Sequence, residues 1–222
     1  QMPESYNQGI AIKPERTSLL DVGASDAFIV LSREGENFRD ITSSMSDYFG
    51  RPGDYVVYRK LMEENSDWFA GHTYVDLIKP GVTQKFLDVT MGGYQKRYSD
   101  AFGKNIMGVF TDEPHINVPL PAIRWTPDLF PEFKKTYGYD LVSRLLSLSE
   151  PVGDFRKVRH DYYQLLLRLF IDRWAKPSYD FYTENNLQLT GHYWDHEWPR
   201  IGPGPDNMAM SAWPHMPGID LL

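Results

Sequence analysis

The 222-residue chain contains no cysteine, which excludes disulfides, thiolate metal sites and cysteine nucleophiles and leaves its redox compartment unread. No apolar run approaches the roughly 20 residues needed to cross a bilayer. Nor is there a long basic run. With 23 Lys and Arg against 30 Asp and Glu the net charge is −7, a poor match to the phosphates of nucleic acid, which call for clustered cations. The start, Gln1-Met2-Pro3-Glu4, lacks the charged-then-apolar order of a signal peptide. Three catalytic signatures are also missing. There is no Gly-x-Ser-x-Gly elbow, no Gly-x-Gly-x-x-Gly fingerprint and no P-loop, so no motif asks for an organic cofactor. The segment Gly202-Pro203-Gly204-Pro205 lacks the free amides that cradle phosphate.

What is abundant is aromatic: 12 Phe, 14 Tyr and 6 Trp, or 14% of the chain. Such rings serve an ordinary core, where Tyr and Trp add a polar handle to apolar area, or a cleft that stacks on sugars. Position has to decide. At roughly 100–200 residues per domain the length allows one large domain or two small ones. The ordinary share of hydrophobic residues, 41%, permits a sizeable core.

The first 26 residues read as irregular, with an apolar Ile10-Ala11-Ile12 and a Pro14. From 27 to 62 the pattern is that of a small antiparallel insertion. Phe28–Leu31, Phe38–Thr42 and Tyr55–Leu61 are β-prone runs separated by turn clusters at Gly35-Glu36-Asn37 and Gly50–Asp54. Past Gly71 the pattern changes to strands separated by helices. A helix is expected after Pro80, and a strand over Asn105–Phe110. A helix opening at Thr126-Pro127-Asp128 should close at Gly138, and a short one should follow over Leu141–Leu148. The longest should run from Phe155 to Asn185, with Pro177 kinking or restarting it. A strand then follows at Leu187–Leu189. This alternation argues for parallel βα units. The expected fold class is therefore α/β: residues 1–222 as part of one (β/α)₈ TIM-type barrel, the remainder of the barrel lying outside this chain. An incomplete barrel would leave open sheet edges, so the chain is expected to associate, to pack against further chain segments, or to be marginally stable.

In parallel α/β architectures the chemistry collects where strands end. After Phe110 come Thr111, Asp112, Glu113, Pro114 and His115; after Leu189 come His192, Tyr193, Trp194, Asp195, His196, Glu197 and Trp198. Both ends offer carboxylates and histidines, and the second adds rings. That inventory suits glycoside hydrolysis, in which two carboxyl groups act across the bond while hydroxyl-binding and stacking side chains hold the sugar. The plainer alternative is that Asp112 or Glu113 caps a loop. His192, Asp195 and His196 form an alternative metal-dependent hydrolase site. However, the His-x-x-x-His-Glu order is not that of a zincin, and the element carrying it is a strand. A non-catalytic carbohydrate-binding module is the remaining alternative.

Several separated segments recur in the same order as in a known family. They are Tyr74–Pro80, Gly108–Pro114, Leu189–Tyr193 with His196–Pro199, and His215–Asp220. Over about residues 54–222 the chain resembles bacterial glycoside hydrolases of the α-L-rhamnosidase-like kind, which are several times longer and carry a (β/α)₈ catalytic barrel with attached β-sandwich domains. The resemblance implies hydrolysis of an O-glycosidic bond in plant or microbial polysaccharide. It implies a catalytic Glu113 and a second active-site acid at the next strand end, for which Glu197 is chosen. Asp112, His115, His192, Tyr193, Trp194, Asp195, His196 and Trp198 are the expected sugar contacts. No protein metal ligand is assigned, although known members invert configuration and can use calcium. The same resemblance implies a carbohydrate substrate and a periplasmic or extracellular bacterial location, while the charge balance and short apolar runs lead to the expectation of no nucleic-acid or membrane partner.

Overall fold

The computed structural model describes residues 8–194 and 200–220. In chain order its strands are β1 (Ala11–Leu19), β2 (Ile29–Glu34), β3 (Asn37–Asp40), β4 (Pro52–Leu61), β5 (Gly108–Asp112), β6 (Ile123–Arg124), β7 (Gln188–His192) and β8 (Met216–Pro217). The helices are α1 (Val82–Tyr98), α2 (Leu129–Tyr137), α3 (Leu146–Ser149), α4 (Phe155–Phe170), α5 (Lys176–Glu184) and α6 (Asn207–Met210). They sort into two compact units: 8–74 with Val118–Tyr163, and Val75–Asn117 with 164–220.

The first unit is built on a five-stranded sheet in the order β3-β2-β4-β1-β6, and all its pairings are antiparallel. β4 lies between β1 and β2, so its Tyr55, Val56, Val57 and Tyr58 are buried. Tyr55 and Val57 join Leu20, Ala24, Val30 and Ile41 in one core cluster. Elsewhere in the unit Phe28 packs edge-on against Trp125 at 5.1 Å, and the Lys60 ammonium sits 4.6 Å from the Trp125 ring centre. β1 carries Pro14 in its interior. β6 pairs only with Ala11 and Ile12, so at Pro14 the strand has a neighbour on one side alone, a position that tolerates a missing N–H.

The second unit carries a three-stranded sheet ordered β5-β7-β8, parallel throughout. Behind it, Leu87 and Met91 of α1, Tyr182 of α5, and Leu187 and Leu189 at β7 form a shared core. Phe86 of α1 meets Trp174 at 5.7 Å. Between α4 and α5 the chain passes through one π-helical segment, Ile171–Ala175. The wider turn stands just ahead of Pro177, near the start of α5, where proline cannot donate an i→i−4 bond. Pro177 thus stands in the first turn of a new helical segment, the restart expected of it.

These sheets overturn the (β/α)₈ expectation. A TIM-type barrel, even a partial one, requires a run of parallel strands. The described residues hold one parallel sheet of three strands, the last only two residues long, and the larger sheet is antiparallel. Nor is that antiparallel sheet confined to 27–62, because β1 and β6 join it from either side in sequence. Three local readings also shift. β5 begins at Gly108 and runs through Asp112. α2 starts at Leu129, after Asp128, whose side chain makes no cap. Leu141–Leu148 divides into a 3₁₀ turn and the four-residue α3.

Candidate functional site

The parallel sheet brings three ionisable side chains to one end of its strands. β5 and β7 are paired in register, with Thr111 opposite Gly191 and Asp112 opposite His192. β8 lies on the other side of β7, with Met216 opposite Thr190 and Pro217 opposite Gly191. Glu113 directly follows β5, His192 ends β7, and Asp220 lies three residues past β8. Each offers one ligand-type atom, and those atoms lie within 4.8 Å of one another.

Two backbone features make that convergence possible. Gly191 sits at φ +123, and a Cβ there would lie 1.9 Å from the Thr111 carbonyl oxygen. Only glycine lets β5 and β7 approach at the residue before His192. Glu113 has φ +48, in the left-handed region that a non-glycine residue seldom enters. It also precedes Pro114, which normally pushes the preceding residue toward extended backbone. Its N–H still donates to the His192 carbonyl at 3.1 Å. The chain thus turns sharply at Glu113 while staying tied to β7. Strained backbone of this kind, costing about 1–3 kcal/mol, concentrates at functional positions.

His192 is 9% exposed. Its Nε2 lies 3.4 Å from Asp112 Oδ1, and its buried Nδ1 has no hydrogen-bond partner among the described residues. Phe110 packs edge-on to the same ring at 5.9 Å. Asp112 is solvent-facing, with 80% of its side chain exposed.

The remaining expected contacts divide. Trp194 meets His115 edge-on at 4.9 Å, and the Asn117 N–H donates to His115 Nδ1 at 3.2 Å, which links the exits of β5 and β7. Tyr193 is buried against Phe170, with ring centres 5.8 Å apart. Burial pushes its phenol well above the ordinary tyrosine range, and a hydrogen bond with Trp174 acts in the opposite direction. Asp195, His196, Glu197 and Trp198 lie outside the described residues. Asp220 was not among the expected site residues. The strand that precedes it is two residues long and contains a proline, so no periodicity marks the segment.

Beside the trio a cleft of about 620 Å³ is lined by Tyr193, Asn207, Met208, Ser211, Gly218 and Ile219, among others. It touches the residues next to both His192 and Asp220. Its volume is within the ~300–1,000 Å³ usual for small-molecule sites. Asn207 Nδ2 donates to the Trp194 carbonyl at 2.7 Å, while its Oδ1 is buried and unpartnered among the described residues.

As a cation cage the trio supplies two carboxylates and one imidazole. That set suits a transition dication, whereas calcium takes six to eight oxygens. The calcium implied by resemblance therefore does not fit these three residues alone.

No family model matches the chain, and no curated protein matches it. Among solved structures it is similar to a rhamnosidase from Novosphingobium sp. PP1Y, with a TM-score of 0.56 at 20% identity. The match covers 83% of this chain and 19% of that one. The chain thus spans about a fifth of that protein, and at this identity the likeness is one of fold.

Proposed function

We propose that this chain carries active-site residues of a glycoside hydrolase acting on an O-glycosidic bond in plant or microbial carbohydrate. The observation that carries the reading is the convergence of Glu113 and Asp220 on buried His192, at the ends of three parallel strands beside a sugar-sized cleft. Hydrolysis needs one carboxyl group to protonate the leaving oxygen and a second to act as base or nucleophile. Glu113 and Asp220 offer that pair. One carboxylate oxygen from each lies within 4.8 Å of the other, so both can reach one bond. The His192 imidazole stands with the pair, and Asn207 lines the cleft beside it. The fold likeness to a rhamnosidase supports putting α-L-rhamnosides first among substrates.

The test is a panel of 4-nitrophenyl glycosides, led by the α-L-rhamnoside, with the full-length gene product. Glu113→Gln, Asp220→Asn and Glu197→Gln are compared with the unmodified protein. Loss of turnover in the first two, with folding kept, supports the pair; loss at Glu197 and not at Asp220 would move the second carboxylate to the exit of β7. No turnover on any glycoside would sink the reading.

A second reading is favoured by the donor set itself. Glu113, His192 and Asp220 could hold a transition dication and make the site a metal-dependent hydrolase. Metal analysis of the purified protein, and turnover after chelation, separate the two.

A further inference from the structure

β8 is a weak strand to carry a site residue. It has two residues, both exposed, and Pro217 has no N–H to give to a ladder. Three contacts add to its pairing with Thr190 and Gly191 of β7. The Gly218 N–H donates to the Gly191 carbonyl at 2.8 Å, and the Thr190 hydroxyl donates to the Met216 carbonyl at 2.9 Å. The third tie is a side chain. The Leu189 N–H donates to His215 Nδ1 at 3.0 Å, so an imidazole stands where a neighbouring strand would offer a carbonyl.

The other face of that ring is fixed as well. His215 Nε2 lies 2.9 Å from Thr183 Oγ1. That hydroxyl donates its own proton to the Tyr179 carbonyl at 2.8 Å, so it accepts from Nε2–H. Tyr179 stacks on the imidazole at 4.3 Å and 16°. With Nδ1 accepting and Nε2 donating, the hydrogen bonds specify one tautomer of the neutral ring. Protonating Nδ1 would remove the acceptor that holds the Leu189 amide. From α5 the ring is faced by Tyr179, the titratable group in contact with it, and by Thr183; from β7 it is faced by the Leu189 amide.

We infer that His215 is a positioning residue, whose neutral imidazole pins β8 to β7 and to α5 and so sets Asp220 against Glu113 and His192. The inference rests on the reading that these three residues form the site. It assigns to His215 no contact with substrate.

Amide exchange and imidazole ¹⁵N shifts of the labelled chain test it, alongside kinetics of the full-length protein. The unmodified chain should show the Nε2–H tautomer and protected Leu189 and Gly218 amides. His215→Phe keeps the stacking and removes both hydrogen bonds. It should speed exchange at Leu189 and Gly218 by about tenfold and move the Asp220 amide resonance. The Glu113 amide, held by β7, should stay protected. In His215→Asn the Oδ1 atom replaces Nδ1 as acceptor, so protection should return. Turnover should follow the same order, with kcat about tenfold lower in His215→Phe and recovered in His215→Asn. If His215→Phe does not fold, the pair His215→Asn and His215→Gln decides, because Gln moves the acceptor away from the Leu189 amide. An Nδ1–H tautomer, or Gly218 and Asp220 amides unmoved by loss of the ring's hydrogen bonds, would overturn the inference. Absence of turnover in the unmodified protein would count against the glycosidase reading only, since the amide measurements still report on positioning.

Discussion

Glu113 holds its carboxyl at the site through a backbone conformation that its own side chain disfavours, at φ +48 ahead of a proline. Glycine reaches that region at no steric cost. Glu113→Gly should therefore raise stability by about 0.5–1 kcal/mol in urea or thermal melts while abolishing turnover, a trade common at strained functional positions. Glu113→Gln should lose turnover without gaining stability. The reverse holds at Gly191, where any Cβ meets the Thr111 carbonyl. Gly191→Ala should destabilise the parallel sheet by about 3 kcal/mol or more, read as a lowered denaturation midpoint. Both Glu113 and His192 were named as candidates from the sequence, because each follows a short apolar run in a pattern of alternating strands and helices. Asp220 was not, since Met216–Pro217 is too short to show a period and is held partly by a histidine side chain.

At the scale of elements, the sequence read well where β-branched and aromatic residues cluster and poorly where pairing overrides local preference. The runs at Phe28–Leu31, Phe38–Thr42 and Tyr55–Leu61 show β-branched and aromatic clustering, and strands form there. Ala11–Leu19 mixes charge with a proline and looked irregular, yet eight of its residues pair with β4. Partners distant in sequence supply what propensity does not. On α4, Asp161 shows what a buried carboxylate needs. Burial raises its pKa, but hydrogen bonds from Lys157, His160 and Tyr139 outweigh burial and hold it below the usual carboxylate range. A depressed folded pKa stabilises above the unfolded value of about 3.9 and is lost as pH falls through the folded value. Asp161→Asn should therefore cost about 1–3 kcal/mol at pH 7. The difference from the unmodified protein should shrink below about pH 4. Chemical denaturation at the two pH values checks both statements.

Across the whole molecule, the alternation of strands and helices after Gly71 suggested more parallel sheet than exists. The segment after β5 leaves for the antiparallel sheet, contributing β6 there, before the long helix leads to β7. No local pattern records which sheet a two-residue strand will join. The negative charge and aromatic richness are consistent with a carbohydrate site but select no sugar. The central claim is that Glu113, His192 and Asp220 work as one catalytic unit, and steady-state kinetics of single and double variants on the best glycoside of the panel test it most directly. Glu113→Gln and Asp220→Asn should each lower kcat by about 10²–10⁴-fold, with the double variant little worse than the poorer single one and melting temperatures nearly unchanged. Turnover that survives in Glu113→Gln and Asp220→Asn alike would contradict it.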